Sequence, residues 1–150
     1  MSFYSILLVV HIIAAVCGLG ATFAMPVLMG LPKTVTQAKF AHSVAKGIEK
    51  IAKIGSLTLL VTGVALGAVN PYLFTKVWFV ASLIIYVLVQ PIVAGILPKK
   101  TAKQLSLLEE TDGEDLPEEY MNIGKQMLPF NNIMHVSAII LIILMTLKPF

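Results

Sequence analysis

Three groups of side chains in this 150-residue chain have types and spacings that could do chemistry. The first is His11, the one histidine in an uncharged stretch from Tyr4 to Gly30 that reads YSILLVVHIIAAVCGLGATFAMPVLMG. On a helix it shares a face with Ala14, Ala15, Gly18, Ala21 and Met25. A row of side chains this small lets another backbone, or a flat ligand, come close. An ionisable residue inside a membrane span is a functional-site hypothesis by default, and a neutral imidazole is a usual haem ligand. The plainer alternative is a histidine that makes one hydrogen bond across a helix pair, to Ser82 or Thr62. The second group is His135, one turn beyond Asn131 and Asn132, as the partner ligand of a bis-histidine haem. Counting along the helices puts His11 ~10 Å and His135 ~18 Å from the outer ends of their spans, an awkward offset for two ligands of one iron. The third group is the stripe Trp78, Ser82, Tyr86 and Gln90, spaced by four and therefore on one helical face. It either lines a polar ligand pocket or ties helices together through bonds worth only ~0.6 kcal/mol each.

Two weaker groups complete the inventory. Met25 and Met29 stand four apart, and Met127 and Met134 lie at a similar depth on the last span. Thioether sulfur suits Cu(I), so a copper path competes with ordinary gap-filling by a flexible side chain. His42 falls among lysines and is expected at a solvated surface. The chain has no nucleophile–base pair, no paired intramembrane carboxylate and no phosphate-binding loop, which leaves a hydrolase or an ATP-driven pump unsupported. The single cysteine, Cys17, allows no internal disulfide.

The elements that must position these residues are legible from the apolar runs. Tyr4 to Gly30 exceeds the ~20 residues that cross a bilayer and reads as a span rather than as the short apolar region of a signal peptide. Leu31-Pro32-Lys33 ends it. Thr34 caps one unbroken helix to Val69, lysine-rich in its first half and apolar from Ile54, and ~50 Å long. Asn70-Pro71 is a turn, Gln90-Pro91 kinks the third span near its end, and Pro98-Lys99-Lys100 closes that span. Spans are therefore expected at about 4–30, 52–69, 73–97 and 128–147, with cytoplasmic loops 31–51 and 98–127, in a single integral membrane domain of residues 1–150. Gly63 and Gly67 form a GxxxG pair, a close-contact face on the second span. The stretch from Lys33 to Lys53 carries five lysines and the loop after span three carries four, against Lys76 alone in the outer turn. The positive-inside rule then places both termini outside.

Composition agrees. The chain is 57% hydrophobic and 13% charged, where a soluble domain carries ~25% charged residues, so lipid is its solvent. The net charge of +3 is segregated by loop and is no nucleic-acid signal. Expected partners are membrane lipids and another membrane protein or a second copy of the chain.

The run VHIIAAVCGLGATFAMPVL, then LTLLVTGVALG, then VWFVASLIIYVL and the ending LKPF resemble a family of small bacterial integral membrane proteins, domain of unknown function 2269. The likeness covers nearly the whole chain. A more distant one runs to HemJ-type protoporphyrinogen oxidases and CopD-like copper-resistance proteins, in which a span-one histidine, a small-residue row and a proline correspond to His11 and Pro26. That similarity implies haem association and carries over His11. The HemJ pattern has a His and a Lys just after the span-three Trp, where this chain has Phe79 to Ser82, and an Asn-Glu pair where it has Asn131-Asn132. The base that porphyrinogen oxidation needs is thus missing from the match.

The reading is an all-α membrane protein, an antiparallel up-down bundle of four transmembrane helices in a bacterial plasma membrane. It binds a haem-like (haem b) or other flat apolar ligand between spans one, three and four. His11 is the primary contact and possible metal ligand with His135; Ser82, Tyr86 and Gln90 support it. The rivals are a non-catalytic accessory or scaffold protein and a copper-handling permease relative.

Overall fold

The computed structural model describes residues 2–150. Along them run α1 (Phe3–Gly30), α2 (Val35–Val69), α3 (Val77–Pro91), α4 (Leu97–Glu109) and α5 (Glu118–Leu147), with a 3-10 turn at Pro71–Thr75 and a π-turn at Ile92–Ile96. Four helices are long and apolar enough to cross a membrane, α3 running through the π-turn into α4 and counting as one of them. Large apolar side chains such as Val9, Ile13, Leu57, Val61, Val87, Leu88 and Ile139 stand exposed on the outside of the bundle. An apolar surface of that extent is stable against acyl chains and not against water.

Neighbouring helices run antiparallel. His11 meets Thr62 and Gly18 meets Gly55, which sets α1 against α2; Tyr86 reaches Ser56, which sets α3 against α2. Trp78 beneath Lys148 and Thr22 beside His135 set α5 against α3 and α1. The four spans therefore close in the ring α1–α2–α3–α5, the up-down bundle expected.

The tightest crossing is at Gly18 and Gly55, not at the expected pair Gly63 and Gly67. A Cβ on Gly55 would fall 2.7 Å from the Gly18 nitrogen and 2.8 Å from Cys17 Cβ. Gly63 makes room for the His11 ring instead, and Gly67 for the rings of Phe74 and Phe79. Spacing shows that two glycines share a face; it does not show whether that face meets a backbone or a ring.

Two boundaries also differ from expectation. Pro98 does not end the third helix: the backbone stays helical through the π-turn after Pro91 into α4, with the Leu97 N–H donating to the Ile92 carbonyl and Pro98 near the start of α4. At its other end the helix begins at Val77, residues 73–75 being part of the 3-10 turn.

The lysine-rich end is a packed cap rather than a pair of loops. The first half of α2, α4 and the start of α5 enclose Val35, Ala38, Leu108 and Tyr120, with Leu116 against them. Thr34 caps α2 by accepting from the Gln37 N–H, and the connecting loop is pinned alongside: the Val35 N–H donates to the Glu114 carbonyl. The Glu114 carboxylate accepts from both the hydroxyl and the N–H of Thr36, and these bonds hold it below the usual carboxylate range. His42 is only 5% exposed, edge-on to Tyr120. The surface position expected for it is corrected by α4 and α5 folding over that face of α2.

Replacing Gly55 with Ala forces α1 and α2 apart at their crossing. The expected cost is about 1–3 kcal/mol, read as a lowered Tm in detergent. Gly20→Ala, where a Cβ meets nothing within 4 Å, is expected to leave Tm unchanged. A Gly55→Ala protein as stable as wild type would contradict this crossing.

Candidate functional site

Alongside the Gly18–Gly55 crossing a cavity of about 450 Å3 opens between the four spans. Its walls are His11, Ala15, Leu19 and Gly20 of α1, Leu59 and Gly63 of α2, Phe79, Ser82 and Tyr86 of α3, and Leu141 and Met145 of α5, among others. Ile12, Val16, Phe23 and Ile142 line it as well and are exposed on the outside of the bundle, so its rim faces lipid between α1 and α5. The rows of α1 divide accordingly. Gly18 and Ala14 turn to α2, while Ile12, Val16, Leu19 and Phe23, on the other rows of the helix, edge the cavity.

Nearly every polar group on this wall is already occupied. Ser82 donates its hydroxyl proton to the Trp78 carbonyl at 2.7 Å. Tyr86 donates to the Ser56 carbonyl at 2.7 Å, and the Ser56 hydroxyl lies beside the phenol oxygen. These two members of the α3 stripe are buried, and their bonds run within α3 or to α2. Gln90 donates to the Tyr86 carbonyl at 3.4 Å and does not line the cavity.

His11 is different. Its Nδ1 lies 2.8 Å from the Thr62 hydroxyl oxygen, one of the two partners the sequence suggested. The Thr62 hydroxyl has a single proton, and its oxygen sits 2.7 Å from the Thr58 carbonyl and 3.2 Å from the Leu59 carbonyl. Carbonyls only accept, so that proton belongs to the α2 backbone. The bond to His11 is then supplied by the ring, so Nδ1 carries a proton, and the Leu59 carbonyl also lies within reach of the ring. In the neutral ring that leaves Nε2 with its lone pair, and no hydrogen bond to Nε2 is found among the described residues. On a residue of the cavity wall, that lone pair is a hydrogen-bond acceptor.

His135 does something else. Its Nε2 lies 2.7 Å from the Thr22 carbonyl and its ring stacks on Phe23 at 4.9 Å, 3° from parallel. That carbonyl would ordinarily accept from residue 26, which is Pro26 and has no N–H. His135 supplies the missing donor, as a carbonyl freed within a bilayer requires. Thr22 is eleven residues along α1 from His11, ~17 Å at 1.5 Å per residue. The two imidazoles are therefore not brought to one iron. Among the described residues no three of His, Cys, Asp and Glu gather as a metal site. The sequence names Thr62 as one of two partners and Gly63 as half of a GxxxG pair, and it shows neither how Thr62 orients the ring's proton nor that Gly63 seats the ring.

The His135 bond can be isolated by a double-mutant cycle. His135→Phe keeps the stacked ring and removes the donor, at an expected cost of about 1–2 kcal/mol. In a Pro26→Ala background the helix supplies its own N–H, and most of that cost should disappear. Equal costs in both backgrounds, by reversible unfolding in mixed micelles, would contradict the assignment.

A family model described as "Predicted integral membrane protein (DUF2269)" matches residues 5–149. No curated protein and no solved structure matches the chain. With nearly its whole length covered, and with four apolar spans in the structure, the chain belongs to the DUF2269 family of predicted integral membrane proteins.

Proposed function

We propose that the protein binds a flat, largely apolar ligand in the cavity between its four spans, with His11 as the polar contact. The observation that carries this reading is the bare Nε2 of His11 on the wall of a 450 Å3 apolar cavity. A lone imidazole acceptor held out of water is costly unless something pairs with it. Tyr86 and Ser82 support the site as wall, their hydroxyls being spent on the α2 and α3 backbones. Nine of the eleven lysines lie at the cap end and only Lys76 and Lys148 at the other, so in a bacterial plasma membrane the cap faces the cytoplasm and both termini face out. The cavity's polar end is then nearer the outer surface.

A haem-like group is the form that the HemJ resemblance implies. A neutral Nε2 fits an iron as its single protein ligand. The rest of the wall does not fit: no Lys, Arg or other cation lines the cavity to meet the carboxylates of a haem. The copper alternative rests on Met25, Met29, Met127 and Met134, and none of these four lines the cavity.

The test is native mass spectrometry of protein released from its own membranes, with an optical spectrum of the same sample. Wild-type protein is expected to carry a small organic adduct. Gly20→Phe, whose ring starts in open space on the cavity wall, should lose it while keeping the wild-type Tm. A Soret band weakened by His11→Ala would identify the haem form. Neither adduct nor band would contradict ligand binding and leave an accessory or scaffold role.

A further inference from the structure

We infer that the ligand is an uncharged membrane amphiphile of the quinol class, its ring hydroxyl donating to Nε2 of His11 and its tail lying along the slot toward Phe23. The inference rests on the cavity being a binding site and narrows what it takes.

Three observations on the cavity carry it. The first is shape. Its α1 wall runs from His11 to Phe23, twelve residues or ~18 Å along the helix axis. That is a slot parallel to the spans, longer than a headgroup and suited to a molecule with a head and a tail. The second is polarity. The lining polar groups without a hydrogen-bond partner in the protein, Nε2 of His11 and the hydroxyl of the rim residue Thr146, both lie at the outer end of the slot. From Ala15 to Phe23 the α1 wall offers only hydrocarbon. A polar head therefore belongs at His11 and an apolar tail below it, in the orientation a lipid of the outer leaflet has. The rim residues Ile12, Val16 and Ile142, exposed to acyl chains, place the mouth in the lipid phase. The third is the sense of the hydrogen bond. With Thr62 holding the ring as Nδ1–H, the site presents an acceptor and rewards a donor. A quinol hydroxyl donates; the carbonyl of the matching quinone only accepts and would face the Nε2 lone pair without a proton between them. The lack of a wall cation disfavours a carboxylate or phosphate head.

The experiment compares a two-isoprenyl benzoquinol with its quinone. Each is measured by partition into nanodiscs loaded with protein over empty nanodiscs, with dithionite keeping the quinol reduced. The expected result is preference for the quinol by about 5–20-fold, the worth of one buried hydrogen bond. His11→Phe should erase the preference, and Gly20→Phe should abolish binding of both forms. The wild-type comparison needs no variant, so misfolding of His11→Phe cannot hide the answer. Equal binding of both forms, or tighter binding of the quinone, overturns the inference. Binding of hemin with exclusion of the quinol overturns it while leaving the cavity a ligand site. Failure of quinol, quinone and hemin alike overturns the ligand-binding reading itself.

Discussion

One proton sets the chemistry of this bundle. The Thr62 hydroxyl can donate once, and the Thr58 carbonyl beneath it takes that donation at 2.7 Å. His11 must therefore give its own proton to Thr62 and keep Nε2 bare. In water such an assignment would be weak, because solvent exchanges partners freely. Between helices surrounded by lipid no water competes, and a ring nitrogen without a proton is left as an acceptor facing a cavity. The residues around it serve that arrangement: Gly63 leaves space for the ring, and Gly18 against Gly55 draws α1 onto α2 so that His11 reaches Thr62.

The second imidazole shows the same rule with the opposite outcome. Pro26 takes a donor away from the Thr22 carbonyl, and His135 returns one from α5. That bond fixes α5 against α1 near the cap end of the bundle, below the slot. Toward the other end the two helices are free to diverge around the cavity. One histidine thus ties α5 to α1, and the other lines the cavity between the spans. Both are polar residues within spans, and only their partners tell them apart.

Much of this fold can be read from the chain. The four spans, the Thr34 cap, the unbroken α2 and the inward stripe of Trp78, Ser82 and Tyr86 all follow from hydropathy, proline placement and helical period. What escaped depends on contacts between helices. Proline 98 reads as a stop until the π-turn before it is known. Gly63 and Gly67 read as a helix-crossing motif, yet they admit rings, and the crossing uses Gly18 and Gly55, 37 residues apart in the chain. His42 reads as solvated because its neighbours in sequence are lysines, while its neighbours in space are Tyr120 and the rest of the cap. At the candidate site, His11 and the Thr62 bond were legible as a residue and an option. The tautomer was not, since it depends on how Thr62 is bonded within its own helix.

The account stands on the protonation pattern of that ring. Nitrogen-15 chemical shifts of His11, in protein labelled at histidine and reconstituted in lipid at neutral pH, test it directly. The account predicts a single neutral species with the proton on Nδ1 and a deprotonated Nε2 whose resonance moves when a ligand enters the cavity. A proton on Nε2, or a doubly protonated ring, would contradict it.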